Sequence, residues 1–248
     1  MIRDEILGYP VATPEIIAAR RKELAVYGLT TIWDYGGAAI ANQSVLGIGY
    51  VGVVVLVERA GQKLALKIRR TNIDKHSLIE EAHCLERANT VAIAPMVMQW
   101  SQNFILMEYI AGERFFDWLQ RAAINSTKTE VWPVVVDLLE QSFRLDQLGL
   151  DRGDMNCVTN DVLMRAGQPV LIDFSRGSGD RRPQNVTALV QGLFWGSVMA
   201  RYLTPFFPHC TKEILTPLLR NYKHQRNRAN FDAILIAIAP MRKSLNKK

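Results

Sequence analysis

The chain has 248 residues, 48% of them apolar and 22% charged, with a formal net charge of +6. That length buries the core of one large domain or two small lobes, the composition is ordinary for a globular protein, and the positive balance favours anionic partners (nucleotides, nucleic acid or acidic surfaces) without selecting among them. Cys84, Cys157 and Cys210 are dispersed and form no CxxC, and the opening Met-Ile-Arg-Asp-Glu has no apolar core of a signal peptide, so neither a zinc site nor a disulfide framework is suggested and a reduced, cytoplasmic chain is expected.

In chain order, residues 14–27 read as a helix, with Pro14 suited to its first turn and Thr13 placed to cap it. Residues 31–33 and 39–46 read as extended. The β-branched run 53–57 reads as a strand, 58–62 as a turn around Gly61, and the alternating 63–68 as a half-buried strand. Residues 74–89 follow as a helix with Leu78, Ala82 and Leu85 on one stripe, then 99–107 as a hairpin ending in a buried strand. Gly112 marks a joint. Beyond it the pattern is mainly helical, interrupted by a loop-rich stretch at 151–183. The apolar run 186–203 is roughly long enough to span a bilayer. It is broken by Thr187, Gln191, Ser197 and Arg201 and stopped by Pro205, so a buried core helix is expected and no membrane contact. The expected organisation is α+β: an N-terminal helical extension over 1–38, a small antiparallel β lobe over 39–111, and a reduced, mainly helical lobe over 112–248.

The glycine-rich Gly47-Ile48-Gly49-Tyr50-Val51-Gly52 has two readings. A dinucleotide fingerprint needs a helix after the glycines. Here Val53 to Val57 is poor helix sequence and good strand sequence, so Gly47, Gly49 and Gly52 are expected at a hairpin tip whose backbone N–H groups can approach phosphates closely. Lys67, at the end of the next strand, can reach back and pair with phosphate oxygens. A carboxylate is needed to hold it. Glu81 borders the apolar helix stripe and is preferred over Glu86, on the more polar side, and over Glu80, which fits a capping box with Ser77. Asp173 ends the apolar Val170-Leu171-Ile172 and suits Mg2+ or Mn2+ held against phosphate oxygens.

Taken in order, the Gly-rich loop, Leu64-Ala65-Leu66-Lys67, Arg152-Gly153-Asp154 and Ile172-Asp173-Phe174 resemble the protein-kinase-like superfamily, most closely its compact RIO-like branch of serine/threonine kinases, over roughly residues 45–200. The resemblance implies a bilobal kinase-like fold, ATP and Mg2+ as ligands, and phosphoryl transfer. It implies that Phe104 to Gly112 is the hinge, with Met107 as gatekeeper and the backbone of Glu108 and Ile110 on the adenine edge. Leu46, Val54 and Ala65 would cover the base from above and Val162 from below. Asp154 would accept the proton of the acceptor hydroxyl or orient it. The family's asparagine falls on Thr159. Asn160, one place further on and at the usual distance from Asp173, is taken as the second metal ligand, with Asp161 and Asn156 as rivals. Ala-Pro-Glu is missing, and the segment Ser175 to Gln184 is short and holds Arg176, Arg181 and Arg182, which are expected to attract an acidic acceptor without any activating phosphorylation.

A serine or threonine hydroxyl of a protein is the first acceptor expected. A small-molecule hydroxyl (sugar or antibiotic-like), or an ATP-switched binding or assembly factor with weak ATPase activity, are the alternatives. Two basic clusters near the end could meet an acidic or RNA-containing partner: Arg220, Lys223, His224, Arg226 and Arg228, then Arg242, Lys243, Lys247 and Lys248.

Overall fold

The computed structural model describes residues 2–239, apart from residues 75, 126, 127 and 197. The chain divides into two compact units, Met1–Ala111 and Gly112–Lys248. It has the expected α+β organisation, a β-rich first unit followed by a mainly helical second one.

The first unit runs α1 (Asp4–Leu7), α2 (Pro14–Leu24), β1 (Thr31–Ile32), β2 (Ala38–Ile40), β3 (Gln43–Val45), β4 (Gly47–Ile48), β5 (Gly52–Arg59), β6 (Gln62–Arg69), α3 (Ile79–Asn89), β7 (Val97–Trp100) and β8 (Phe104–Glu108). Its main sheet has the order β1-β5-β6-β8-β7, with β4 also paired to β5, and every pairing is antiparallel. Alternation along the strands sorts the side chains onto two faces. Val53, Val55 and Val57, Leu64, Leu66 and Ile68, and Phe104 and Leu106 join Ile2, Ile6, Leu7 and Tyr27 in one buried cluster. Each fully buried Val, Leu or Phe side chain contributes roughly 1.5–3 kcal/mol. A one-residue slip would turn this whole set away from its partners, so the register is firmly set. The opposite face carries Val54 across from Lys67, and Ala65 across from Met107.

The N-terminal helices are tied to the sheet by polar contacts as well. Buried Arg20 donates to the Leu7 carbonyl and to Asn103 Oδ1. Glu23 accepts from the Asn103 amide N–H at 2.9 Å and side-chain amide at 2.6 Å. Burial, with Arg69 nearby, pulls the Arg20 guanidinium down to about 10.

Local details differ from the sequence expectation. Residues 39–46 are not one extended run. They turn back at Ala41 and Asn42, with φ of 45° and 62°, so that β2 and β3 pair as a hairpin. Helix α2 gives way to a 3-10 turn, Ala25–Tyr27, and ends at Gly28 with φ 62°. Thr13 makes no capping bond to that helix. Helix α3 starts only at Ile79, whose N–H is held by Ser77 Oγ at 3.0 Å, so the capping box with Glu80 does not form.

The second unit runs β9 (Glu113–Arg114), α4 (Phe115–Asn125), α5 (Lys128–Gln147), β10 (Val162–Arg165), β11 (Gln168–Leu171), α6 (Asn185–Gln191), α7 (Val198–Leu203), α8 (Lys212–His224) and α9 (Arg228–Ile238). Strands β11, β10 and β9 form a small antiparallel sheet in that order. Gly112 lies so close to this sheet that a Cβ on it would sit 2.3 Å from the Met164 carbonyl oxygen. The expected helix at 186–203 is split by a π turn, Gly192–Gly196. The turn packs tightly at its first residue: a Cβ on Gly192 would lie 2.4 Å from the Asn156 carbonyl oxygen, so only glycine lets the chain pack on the loop after Asp154. Among the described residues, no helix is long and apolar enough to cross a membrane.

Candidate active site

In the first unit, Gly47 pairs with Val54 and Gly49 N–H donates to the Gly52 carbonyl at 2.8 Å, which places the glycines at a hairpin tip. A Cβ on Gly52 would lie 2.8 Å from the Ile68 carbonyl oxygen and 3.1 Å from Lys67 Cγ. Glycine there lets the Lys67 side chain run past the turn. Lys67 Nζ meets Glu81 Oε1 at 2.5 Å, with the two residues only 6% and 2% exposed. Glu80 and Glu86 are exposed, and Glu86 accepts from Trp100 Nε1 at 2.7 Å. Of the candidate adenine contacts, Leu46 and Val54 are half-buried while Ala65, Met107 and Ile110 are buried. The Glu108 N–H donates to the Met96 carbonyl at 2.8 Å. Next to it, burial and a hydrogen bond with Tyr35 push the Tyr109 phenol up to about 12.

In the second unit, Gly153 and Asp154 are both left-handed, with φ of 75° and 47°. Two such residues in succession make a tight turn that presents Asp154 at the surface. A polar network behind it fixes the turn. The Arg152 N–H donates to Asn185 Oδ1 at 2.9 Å, and Asn185 Nδ2 donates to Asp146 Oδ1 at 2.8 Å and to the Leu150 carbonyl at 2.7 Å. Tyr222 donates its hydroxyl to Asp146 Oδ2 at 2.9 Å. Burial raises the Asp146 carboxyl above its ordinary value in spite of these donors, and burial also raises the Tyr222 hydroxyl, helped by the Asp146 charge. Sequence reading missed this network. Its signal was present: Asp146 falls on the buried helical stripe of Val131, Val135, Leu138, Ser142 and Leu145, where a carboxylate must have partners.

In the sequence Arg152 stands out only as part of a motif. Its side chain is 1% exposed, lies over the Phe174 ring at 5.8 Å and reaches Asp161 Oδ2 at 3.0 Å. Asp161 is thereby engaged as an ion-pair partner. Its carbonyl accepts from Ile172 N–H at 3.0 Å, which brings it alongside Asp173. Asp173 is half-buried just beyond β11, and its Oδ1 accepts from Ser175 N–H at 2.8 Å. Asn160 is exposed and turned toward β9, accepting from Arg114 Nη1 at 3.3 Å. Asn156 is exposed, and Val162 is fully buried on β10.

The basic clusters are uneven. Arg220, Lys223 and His224 are exposed on α8. Arg228 is engaged by Glu140 and Asp232, each at 2.8 Å. Arg242, Lys243, Lys247 and Lys248 lie outside the described residues.

Residues 57–191 match the RIO domain. A protein of Bacillus subtilis (strain 168), provisionally named serine/threonine-protein kinase YrzF, is 26% identical over 133 residues, covering 54% of this chain and 59% of that protein. The RIO match begins inside β5 and closes with α6, so it takes in Lys67, Glu81, Asp154 and Asp173. With more than half of its length inside that span, this chain belongs to the RIO domain family of the protein-kinase-like superfamily, whose chemistry is kinase-like phosphoryl transfer.

Proposed function

We propose that the chain transfers the γ-phosphoryl group of ATP to a serine or threonine hydroxyl of a protein, in the cytoplasm. The observation that carries this reading is the buried Lys67–Glu81 pair beside a glycine hairpin. A lysine paired with the Glu81 carboxylate in a dry setting is held in position, which suits it to phosphate oxygens. Gly47, Gly49 and Gly52 would cover the phosphates. Leu46, Val54, Ala65 and Val162 would enclose the purine. With the Glu108 N–H donating to Met96, its carbonyl and the Ile110 backbone would meet the purine edge.

The donor set fits a hard divalent ion. Asp173 offers a carboxylate, and Asn160 would add its amide oxygen by turning it from Arg114, from which it accepts at 3.3 Å; Mg2+ is ordinarily held by one or two such groups together with substrate phosphates. When bound, Mg2+ or Mn2+ would neutralise charge on the phosphate oxygens. Asp154 would take the hydroxyl proton, and the Asn185–Asp146–Tyr222 network would hold its loop in place.

Incubation of the purified protein with γ-labelled ATP and Mg2+, with and without cell extract, tests the reading. Label in protein-bound phosphoserine or phosphothreonine is expected, and its loss when Mg2+ is chelated. A small-molecule acceptor is the second reading, favoured by the few residues between Asp173 and α6; label in a low-mass product would select it. An ATP-dependent melting shift with no transfer to any acceptor would select an ATP-switched assembly factor.

A further inference from the structure

The candidate base is already in contact with a cation. Arg176 Nε lies 3.0 Å from Asp154 Oδ2 and Nη1 lies 3.3 Å from Oδ1, a two-point contact between side chains 66% and 47% exposed. The backbone that delivers Arg176 is fixed. Gly177 N–H closes a turn on the Phe174 carbonyl at 2.8 Å, and Asp151 and Ser178 exchange N–H···O bonds at 2.9 and 2.8 Å. Arg181 locks the turn, with Nε on Asp151 Oδ2 at 2.8 Å and Nη2 on the Arg176 carbonyl at 2.5 Å. The Arg176 side chain is open to water, where an ion pair is weak and a competing anion exchanges with it readily.

The cations continue away from Asp154. Arg182 Nη2 donates to the Lys223 carbonyl at 2.7 Å, joining this segment to α8. Helices α6 and α8 flank a groove of about 450 Å3 lined in part by Trp195, Lys212, Arg220 and Lys223, and among the described residues no carboxylate is in its lining. A track of Arg182, Lys212, Arg220 and Lys223 offers more positive charge than one small anion needs and matches an extended chain of negative charges.

We propose that this track docks an acidic polypeptide segment, and that its carboxylates draw Arg176 off Asp154 so that the base opens only when the acceptor is in place. The proposal rests on the protein-kinase reading above. In the step it permits, the acceptor serine gives its proton to Asp154 and its oxygen bonds to the γ-phosphorus. The bond from that phosphorus to the bridging oxygen breaks, and ADP leaves with the electron pair. Arg176 is then a gate as well as a receptor.

The test uses a fluorescent peptide of glutamates around one serine, and its glutamine counterpart, with the full chain. By anisotropy without ATP, the glutamate peptide is expected to bind at least ten-fold tighter, to weaken at least five-fold in the Arg220→Gln/Lys223→Gln variant, and to be unaffected by Lys22→Gln on the exposed face of α2. Equal binding of the two peptides, or displacement by polyuridylate but not by polyglutamate, overturns the docking surface whatever the transfer assay gives. In transfer, Arg176→Gln is expected to raise the rate on the glutamine peptide and narrow the difference between peptides at least five-fold. An equal fall on both peptides overturns the gate. Tight glutamate-specific binding with no label moved by wild type or Arg176→Gln would overturn the gate and the kinase reading together, and leave the docking surface supported.

Discussion

Each unit has an ion pair on a candidate catalytic side chain, and the two pairs are built in opposite ways. Lys67–Glu81 is dry; Arg176–Asp154 is wet. In a low-dielectric setting the attraction between the partners is strong, and removing either leaves a buried charge less compensated. In water the same pairing contributes at most about 1 kcal/mol and is screened by salt. The contrast matches two tasks. A cation for nucleotide phosphates gains from being held ready at all times. A base for an exchanging acceptor gains from a partner that can leave.

The largest expected effect comes from breaking the dry pair. Glu81→Ala takes the Glu81 carboxylate away from a buried ammonium and should cost about 3–5 kcal/mol, read as a lower denaturation midpoint, together with loss of the ATP-induced melting shift. A loss below about 1 kcal/mol would place Lys67 in a wetter setting than its 6% exposure indicates and would erase the contrast. Next comes Gly153→Ala. A Cβ there would lie 2.8 Å from the Arg176 carbonyl oxygen at a φ of 75°. A left-handed non-glycine residue costs about 1–2 kcal/mol before any crowding is counted. Transfer should fall more than stability does, because the two segments pressed apart carry Asp154 and Arg176. An unchanged rate would remove the loop geometry from the account.

Arg176→Gln should change stability by no more than about 1 kcal/mol in urea unfolding, since its pair is exposed. A larger loss would make the contact structural. The smallest effect concerns pH. The Asp146 carboxyl is raised by burial, so the folded state holds this proton more tightly than the unfolded chain does. Its stabilising share is full below the ordinary carboxylate value and is lost as pH rises through the raised one. Asp146→Asn lacks this titration. The melting difference should therefore move in favour of Asp146→Asn as pH rises from about 4 into the raised range. Parallel melting curves across that range would show that Asp146 does not titrate there.

What the sequence shows of this molecule follows how local each interaction is. The sheet faces are legible because strand alternation is a neighbour-to-neighbour pattern, and Lys67 with Glu81 is legible because a strand period and a helix stripe both point inward. The Ala41–Asn42 turn is not, since Ala41 has no preference for a positive φ. The late start of α3 is not, because Ser77 serves Ile79 and not the third turn residue. The Arg176–Asp154 gate and the Asn185–Asp146 network are contacts between segments far apart in the chain, and no periodicity reports which polar groups will meet. Asn160 shows the same limit: its spacing to Asp173 suits a metal ligand, yet its amide oxygen faces Arg114.

The central claim is that Asp154 acts on the acceptor while Lys67 and Asp173 hold the nucleotide. It is tested most directly by labelled γ-phosphate transfer in Asp154→Asn, with the ATP–Mg2+ melting shift recorded on the same preparation. The account predicts transfer reduced at least a hundred-fold with the melting shift retained. Transfer at the wild-type rate, or loss of the melting shift along with transfer, would contradict it.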